Sequence, residues 1–349
     1  MIDKFFKLLY DVTLISIVHT KEEIQIYIEI YYKEKLKASD SKSFTLNHSF
    51  KKELLDNYIN TFIKDTPYHY IALLDTSKEQ GIIKDCSEYH KTIRIEDPKV
   101  VCHKGKWGFY TSTYDLHQQQ KEYRPLEIDF IFSPFALLYN FFQDKIDNDL
   151  TMYLLVQEDS IALAVFKHSE LLYGDFIDTT IKYEEDLELE AMHEEDEIEE
   201  DDIDSINLDD IGIEDDLDSI DDGLDELDNL DNLEELDSLD SLDDAHDLEE
   251  QLEENLEEMN HTEEADEDGN LQSTQDFHRF TLIQKSLKKF YDDPSYESDF
   301  IEHIYVADSI HLSYDFKKYI QEELFANVFV RKVDLVMEVN ALAKKELDL

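Results

Sequence analysis

Cys86, His90, Cys102 and His103 carry the side chains that bind zinc, a metal that takes four nitrogen or sulfur ligands in a tetrahedron. Cys102 and His103 are adjacent, however, and on a strand they point to opposite faces, so one ion cannot take both. A buried cysteine pair with surface histidines is the expectation, and no metal is assigned. With only two cysteines the chain has no disulfide framework, which fits a reducing cytosol. A second candidate is EADEDGNLQSTQ at residues 264–275, with acids at positions 1, 3 and 5, Gly269 at 6 and Leu271 at 8, as in a calcium-binding EF-hand loop. Glu264 stands where aspartate is usual, and Gln275 where a bidentate glutamate closes the shell, so the ligand set fails where it matters most. Weak, delocalised association of divalent ions with the acidic tract is the better expectation. No GxSxG, HExxH, P-loop or GxGxxG motif occurs. Trp107 beside Lys104 and Lys106 has the composition of a binding platform, but a hairpin Trp more commonly packs on its own sheet.

The elements that must position these residues alternate between strand and helix. VTLISIV at residues 12–18 is apolar throughout, as in a buried strand, and Ile24, Ile26, Ile28 and Ile30 alternate with polar or aromatic residues in period 2. A hairpin turning at residues 19–23 joins them. Phe50, Leu54, Tyr58 and Phe62 share a helical face ahead of Pro67, and YHYIALLD is the next strand. Gly105 and Gly108 give HKGKWGF the backbone freedom of a turn between two strands. A polar helix around DLHQQQKEY, a strand around LEIDFIF, and a helix capped by Ser133 with Pro134 at its first position follow. The chain then repeats the idiom. TMYLLVQ, SIALAVFK and ELLYGDFI read as three strands; Phe280, Ile283, Leu287 and Phe290 stripe a helix; HIYVADS is a strand; Phe316, Ile320 and Leu324 mark a helix; and the last stretch gives a strand and a helix. Two βββαβα halves in tandem predict a two-lobed α/β architecture.

Between the repeats of the second half lies a segment of another kind. Residues 184–275 hold forty-four of the 86 acids and no Lys or Arg, in a chain of net charge −54. Through LDELDNLDNLEELDSLDSLDD an apolar residue recurs every third position, which suits neither a helix nor a strand. Repulsion and composition predict disorder for the isolated segment. Leu248, Leu252, Leu256 and Met259 nevertheless share one helical face, and against an apolar groove rimmed with Lys or Arg that face could fold on contact. The repeat from Leu208 to Leu242 could act similarly, and a solvated tether is the other reading of both stretches. The charge opposes nucleic acid or an anionic membrane as a direct ligand and favours basic protein surfaces. No run of about 18 apolar residues exists. The N-terminus lacks the cleavage site of a signal peptide.

LEIDFIFSPFALLYNFF followed by MYLLVQEDSIALAVFKHSELLYGDFI resembles the middle of the PilM and GspL actin-like proteins of type IV pilus and type II secretion machines. SLKKFYDDPSYESDFIEHIYVADSIHLSYDFKKYIQEEL is similar to that family's closing helix–strand–helix. The resemblance extends over about half of the chain and implies an actin-like, ribonuclease H-like fold in degenerate form. Its lobes are residues 1–148 and residues 149–183 plus 276–349, with the acidic segment 184–275 as a disordered insert. ATP-binding members hold phosphate on a DxG turn in each lobe, because close approach of backbone N–H groups to phosphate requires glycine. The corresponding turns here read VHTKEEI and VQEDSI, and the second aims Glu158 and Asp159, ahead of Ser160, at the phosphate position. The glycine pair on the adenosine side is replaced at Ala307 and Asp308. These departures argue against nucleotide hydrolysis, and no cofactor or catalytic residue is assigned.

What the resemblance then implies is a cytoplasmic scaffold held at the inner membrane through a partner. It would bind the cytosolic tail of an inner-membrane assembly protein, and an assembly ATPase as a further partner. The alternatives are an actin-like ATPase with unrecognised nucleotide loops, and an acidic decoy or chaperone for a basic protein. The apolar face in the insert is testable directly. Alanine at Leu248, Leu252 and Leu256 together keeps the charge and removes roughly 1.5–3 kcal/mol of apolar burial for each side chain that a partner covers. Captures from lysate should lose partners relative to wild type; equal recovery by both would reduce the segment to a polyelectrolyte.

Overall fold

Val12–His19 (β1) is buried along its length, and Glu23–Tyr32 (β2) buries every second residue until a register shift at Ile30/Tyr31 turns Tyr31 inward. Lys35–Thr45 (β3) pairs antiparallel with β2 and is exposed except at Phe44. Its sequence, KLKASDSKSFT, carries no apolar alternation because it forms the open edge of the sheet, where lysines discourage further pairing. The computed structural model describes residues 10–47, 50–64, 66–146, 149–180, 267–294, 296 and 299–349. Of these, the residues up to 180 and those from Gln272 onward belong to a single compact unit.

The first helix, Lys52–Ile63 (α1), buries Leu55 and Ile59, whereas Leu54 is 55% exposed. Of the predicted face, Phe50, Tyr58 and Phe62 pack half-buried at the edge of this core, and Leu54 turns to solvent, so the centre of the stripe lies one residue around the helix at Leu55 and Ile59. Phe50 precedes the helix, which lets it pack edge-on against Phe44 independently of the helical period. Tyr68–Leu74 (β4) runs parallel to β1, and Gln80–Ile83 (β5) leads into a 3₁₀ turn at Cys86–Glu88 and the short helix Tyr89–Thr92 (α2). Pro98–His103 (β6) and Trp107–Ser112 (β7) form the hairpin about Lys104 and Gly105, both with positive φ. Thr113–Glu122 (α3) and Phe130–Phe132 (β8) follow. In Pro134–Phe141 (α4), Ser133 caps the helix by accepting from the Phe135 N–H at 3.3 Å, with Pro134 in the first turn.

The second half repeats the order. Thr151–Val156 (β9), Ser160–Lys167 (β10) and Glu170–Asp178 (β11) make an antiparallel meander, then come Glu267–Asp292 (α5), His303–Asp308 (β12), Tyr314–Leu324 (α6), Asn327–Lys332 (β13) and Leu335–Glu346 (α7). The sheets are β3-β2-β1-β4-β8 and β11-β10-β9-β12-β13, the same arrangement twice, with a separate three-stranded sheet β5-β7-β6. Phe280, Ile283, Leu287 and Phe290 on α5 are all buried against the second sheet, as their spacing predicts. The helix begins at Glu267, so residues 267–275 are helical where the sequence placed the end of a disordered insert. They also cannot form the loop that an EF-hand-like site at 264–275 requires. The apolar face at Leu248, Leu252, Leu256 and Met259, and the repeat from Leu208 to Leu242, lie outside the described residues.

Packing crosses between the halves. α4, from the first half, lies on β9 and β10, and α7, from the end of the chain, lies on β1, β2, β4 and β8. One core cluster takes in Val18, Ala72 and Leu74 of the first sheet, Tyr153, Leu155 and Ala164 of the second, and both helices. The small sheet joins the second through Ile82 of β5, which sits where Gly174 of β11 leaves space. A Cβ on Gly174 would lie 2.1 Å from Ile82 Cγ2 and 3.0 Å from the Leu163 carbonyl oxygen. Gly174→Ala should therefore destabilise the protein by about 1–3 kcal/mol through overpacking. Ile82→Ala in the same chain should recover part of that loss. Denaturant melts of the single and double variants check both statements.

Candidate functional site

Because β4 runs parallel to β1, and β12 to β9, the ends of β4 and β12 fall on the same edges as the β1–β2 and β9–β10 turns. All the residues singled out for nucleotide chemistry collect there. In the first lobe the turn is closed by the Thr20 N–H donating to Glu23 O at 2.9 Å. In the second, the Gln157 N–H donates to Ser160 O at 2.9 Å, and Gln157 Nε2 donates to Ser160 Oγ at 3.3 Å. The two turns meet. Lys21 Nζ stands 4.0 Å from Asp159 Oδ1, and the Thr20 hydroxyl is engaged within its own turn, donating to Glu23 O at 3.2 Å. Burial first, then the carboxylates of Asp159 and Glu22, push the Glu158 carboxyl above its usual range, against the nearby polar groups of Lys21 and Thr20, which lower it.

The backbone of this turn is pinned from behind. Glu158 O accepts from Arg279 Nη2 at 3.4 Å and from Thr179 Oγ1 at 3.3 Å, and Asp159 O accepts from the Thr179 N–H at 3.0 Å. Arg279 is paired with Asp276 at 2.8 Å, both are buried, and the other Asp276 oxygen accepts from the Ser313 N–H at 2.8 Å. Both Asp276 oxygens thus have a donor, which offsets the burial of the charge, whereas Arg279 Nε is buried without a partner. Asp276 and Arg279 were missed by the sequence reading, although Arg279 is the first base after the acid-rich stretch and lies one helical turn from Asp276.

Ala307 and Asp308 sit where the resemblance puts the adenosine-side glycines, and both are buried. Asp308 Oδ1 accepts from the Ile310 N–H at 3.0 Å and Oδ2 from the Leu312 N–H at 3.1 Å, so the carboxylate closes the turn that follows β12. Asp75, at the end of β4, does the same in the first lobe. Its Oδ1 accepts from the Ser77 N–H at 2.9 Å, the Ser77 hydroxyl at 2.5 Å and Gln119 Nε2 at 2.8 Å. Each lobe thus ends its fourth strand in an aspartate that accepts the backbone N–H of the turn that follows, joined at Asp75 by the Ser77 hydroxyl and Gln119, a use that no local motif announced.

The cysteines depart from expectation. Cys86 and Cys102 are joined by a disulfide, Cys102 is exposed and Cys86 half-buried. Antiparallel pairing explains the meeting: Cys102 lies opposite Gly108 on β7, and the Cys86 N–H donates to Lys106 O at 2.8 Å beside it. His103 turns to the other face of β6, against Trp107 and Tyr139, and burial followed by the charges of Lys104 and Lys345 lowers its pKa. His90 packs beside Tyr89. Trp107 is 3% exposed and packs on Tyr139 and Phe166, so it joins the central core as well as its own hairpin.

Two sheets of identical strand order, with the turns that follow β1 and β9 in contact and helices shared between them, define a two-lobed, actin-like α/β protein. Residues 152–348 match the family described as "Domain of unknown function (DUF8341)", and since this takes in more than half of the chain, the protein belongs to that family. Residues 10–139 match a second family of the same description, DUF8569. No curated protein sequence matches the chain. Among solved structures, the PilM–PilN type IV pilus biogenesis complex is 10% identical, with 93% of this chain and 89% of that one covered and a TM-score of 0.47. A Bacteroides thetaiotaomicron protein with an actin-like ATPase fold and unknown function is 18% identical over 56% of this chain and 80% of its own, with a TM-score of 0.34. An Aquifex aeolicus member of the Ppx/GppA family is 7% identical over 48% of this chain, with a TM-score of 0.25, and the chain spans 51% of its length. No helix among the described residues is long and apolar enough to cross a membrane.

The ionisation of Glu158 gives a pH signature. A carboxyl whose pKa is raised on folding contributes stability that is fully present below its unfolded value of about 4.3 and is lost as pH rises through the folded value. Glu158→Gln keeps the size and cannot ionise, so the variant should gain on wild type as pH is raised from about 4 to about 7. Denaturant midpoints of both proteins across that interval provide the check. Parallel profiles would mean that Glu158 ionises as easily folded as unfolded.

Proposed function

We propose that the protein is a non-enzymatic scaffold of a pilus, secretion or DNA-uptake machine, peripheral to an inner membrane, binding the cytosolic tail of a membrane assembly protein. The observation that carries the reading is Glu158. Its carboxylate stands on the turn that meets the first-lobe turn, beside Lys21 and Thr20, where it sets a negative charge at the position a phosphate would need. Neither turn contains glycine, so the backbone offers no cradle for an anion, and Asp159 and Glu22 add repulsion. Asp75 and Asp308 support the same reading, because their oxygens are engaged in closing turns. The resemblance of the central strands to the PilM and GspL chains supports the kind of machine and the kind of partner. An assembly ATPase is a further expected partner, and basic protein surfaces are expected for the acidic segment.

Calorimetry of the full chain with ATP and Mg²⁺ should give no saturable heat at millimolar nucleotide. A micromolar isotherm would overturn this reading in favour of an ATPase. Immobilised protein should capture, from solubilised membranes, a membrane protein with a short cytosolic segment, and a synthetic peptide of that segment should compete. Recovery confined to basic soluble proteins, lost steeply as salt shortens the Debye length from about 10 Å at 0.1 M to about 3 Å at 1 M, would favour an acidic decoy or chaperone.

A further inference from the structure

The Cys86–Cys102 bond lies on a sheet that holds together without it. β6 pairs with β7 from Pro98 opposite Ser112 to His103 opposite Trp107, and β5 pairs with β7 from Gln80 opposite Thr111 to Ile83 opposite Gly108. Backbone pairing alone brings Cys102 opposite Gly108 and the Cys86 N–H to Lys106 O, with the two Cα atoms 6.1 Å apart. Gly108 makes the meeting place habitable: a Cβ there would lie 2.8 Å from Cys86 Sγ and 2.5 Å from the Val101 carbonyl oxygen. Cys102 is thus placed by the strand pairing, and Cys86, at the start of the 3₁₀ turn, is held beside it by its N–H bond to Lys106 O.

Two further features set the pair apart from a core staple. Cys102 is exposed and Cys86 only half-buried, so a small thiol reaches the bond. The chain that the bond closes off, the 3₁₀ turn, α2 and the loop through Asp97, contains no buried residue, so no packed side chain fastens it. Its local ties are the Asp85 cap on Ser87 and the Lys91–Glu88 ion pair. Lys84, Lys104 and Lys106 flank the cysteines in a chain that is otherwise strongly acidic, and cationic neighbours favour thiolates over thiols.

We propose that Cys86 and Cys102 form a reversible thiol–disulfide site, exchanging with low-molecular-weight thiols of the glutathione class, and that its state sets the order of residues 87–97. A small thiolate attacks the exposed Cys102 Sγ, forming a mixed disulfide as the Cys86–Cys102 bond breaks, and Cys86 leaves as a thiolate that solvent protonates. A second small thiolate then displaces Cys102 from the mixed disulfide. Two small thiols are oxidised to their disulfide, and the protein pair takes up the two electrons and two protons; the reverse sequence closes the bond again. The site stands independently of the scaffold reading.

The test is equilibration of the full chain, under native conditions, in buffers of varying ratio of reduced to oxidised glutathione, followed by acid quench, maleimide labelling and mass spectrometry. Two labels should appear together, with half-conversion inside the span of those buffers. On reduction, amides of residues 87–97 should lose hydrogen-exchange protection while those of β6 and β7 keep theirs. Cys86→Ser should show the same loss in oxidising buffer. Labelling that needs denaturant would make the bond a structural one, and a pair that stays reduced in the most oxidising buffer would remove the site. Unchanged exchange at 87–97 would remove its effect on the loop.

Discussion

Two helices lie between the two five-stranded sheets, and each comes from the half of the chain opposite to the sheet it covers. α7 is bonded into the first sheet as well as packed on it: the buried Ser16 hydroxyl, in the middle of β1, donates to Val336 O at 2.7 Å. Tyr27 O of β2, at 3.1 Å, is a second acceptor beside it, so the buried hydroxyl is satisfied. One face of each sheet is closed within its own half, around Ile15, Ile26 and Ile59 in the first and Leu154, Ile283 and Phe316 in the second, whereas the other faces meet in a core shared by both halves. The relative placement of β1 and β9 is therefore set by the shared helices. That placement puts the two turns that follow these strands in contact.

Contact between the turns decides what the edge can do. A carboxylate carries the same sign of charge as a phosphate and accepts from the same donors, but it belongs to the protein and costs no association entropy. Glu158 sets a carboxyl beside the first-lobe turn, and its charge is disfavoured by burial and by Asp159 and Glu22. The neighbouring aspartates tell a related story. Parallel strands end where a loop must reverse direction, and Asp75 and Asp308 stabilise those reversals by accepting backbone N–H groups. Acids at this edge are turn-formers here, and the same fold elsewhere supports other uses of its edge, since function resides in the site and not in the architecture.

The regular elements were legible because each depends on a local period. Buried alternation in β2, the apolar run of β1, the α5 stripe and the Ser133–Pro134 helix start are patterns within a few residues, and all four hold in the structure. β3 was illegible because an edge strand facing solvent on both sides has no apolar alternation to show. The face of α1 was displaced by one residue because the i, i+4 spacing fits neighbouring stripes almost equally well, and only the sheet beneath selects Leu55 and Ile59.

By itself, the sequence determined most of the order of strands and helices, β3, β5 and α2 excepted, and the likeness of the two halves, the acidic segment and the absence of glycine from both turns, since each is a property of neighbouring residues. Only the tertiary structure decided that the turn of Glu158 and Asp159 meets Lys21, that Asp276 pairs with Arg279 beneath the turn, that Cys86 bonds to Cys102, and that α4 and α7 exchange sheets. The physical reason is that periodicity reports which face of an element is apolar but not which distant surface covers it. Partners of a carboxylate, a thiol or a helix face are chosen by where the folded chain brings complementary groups within bonding distance.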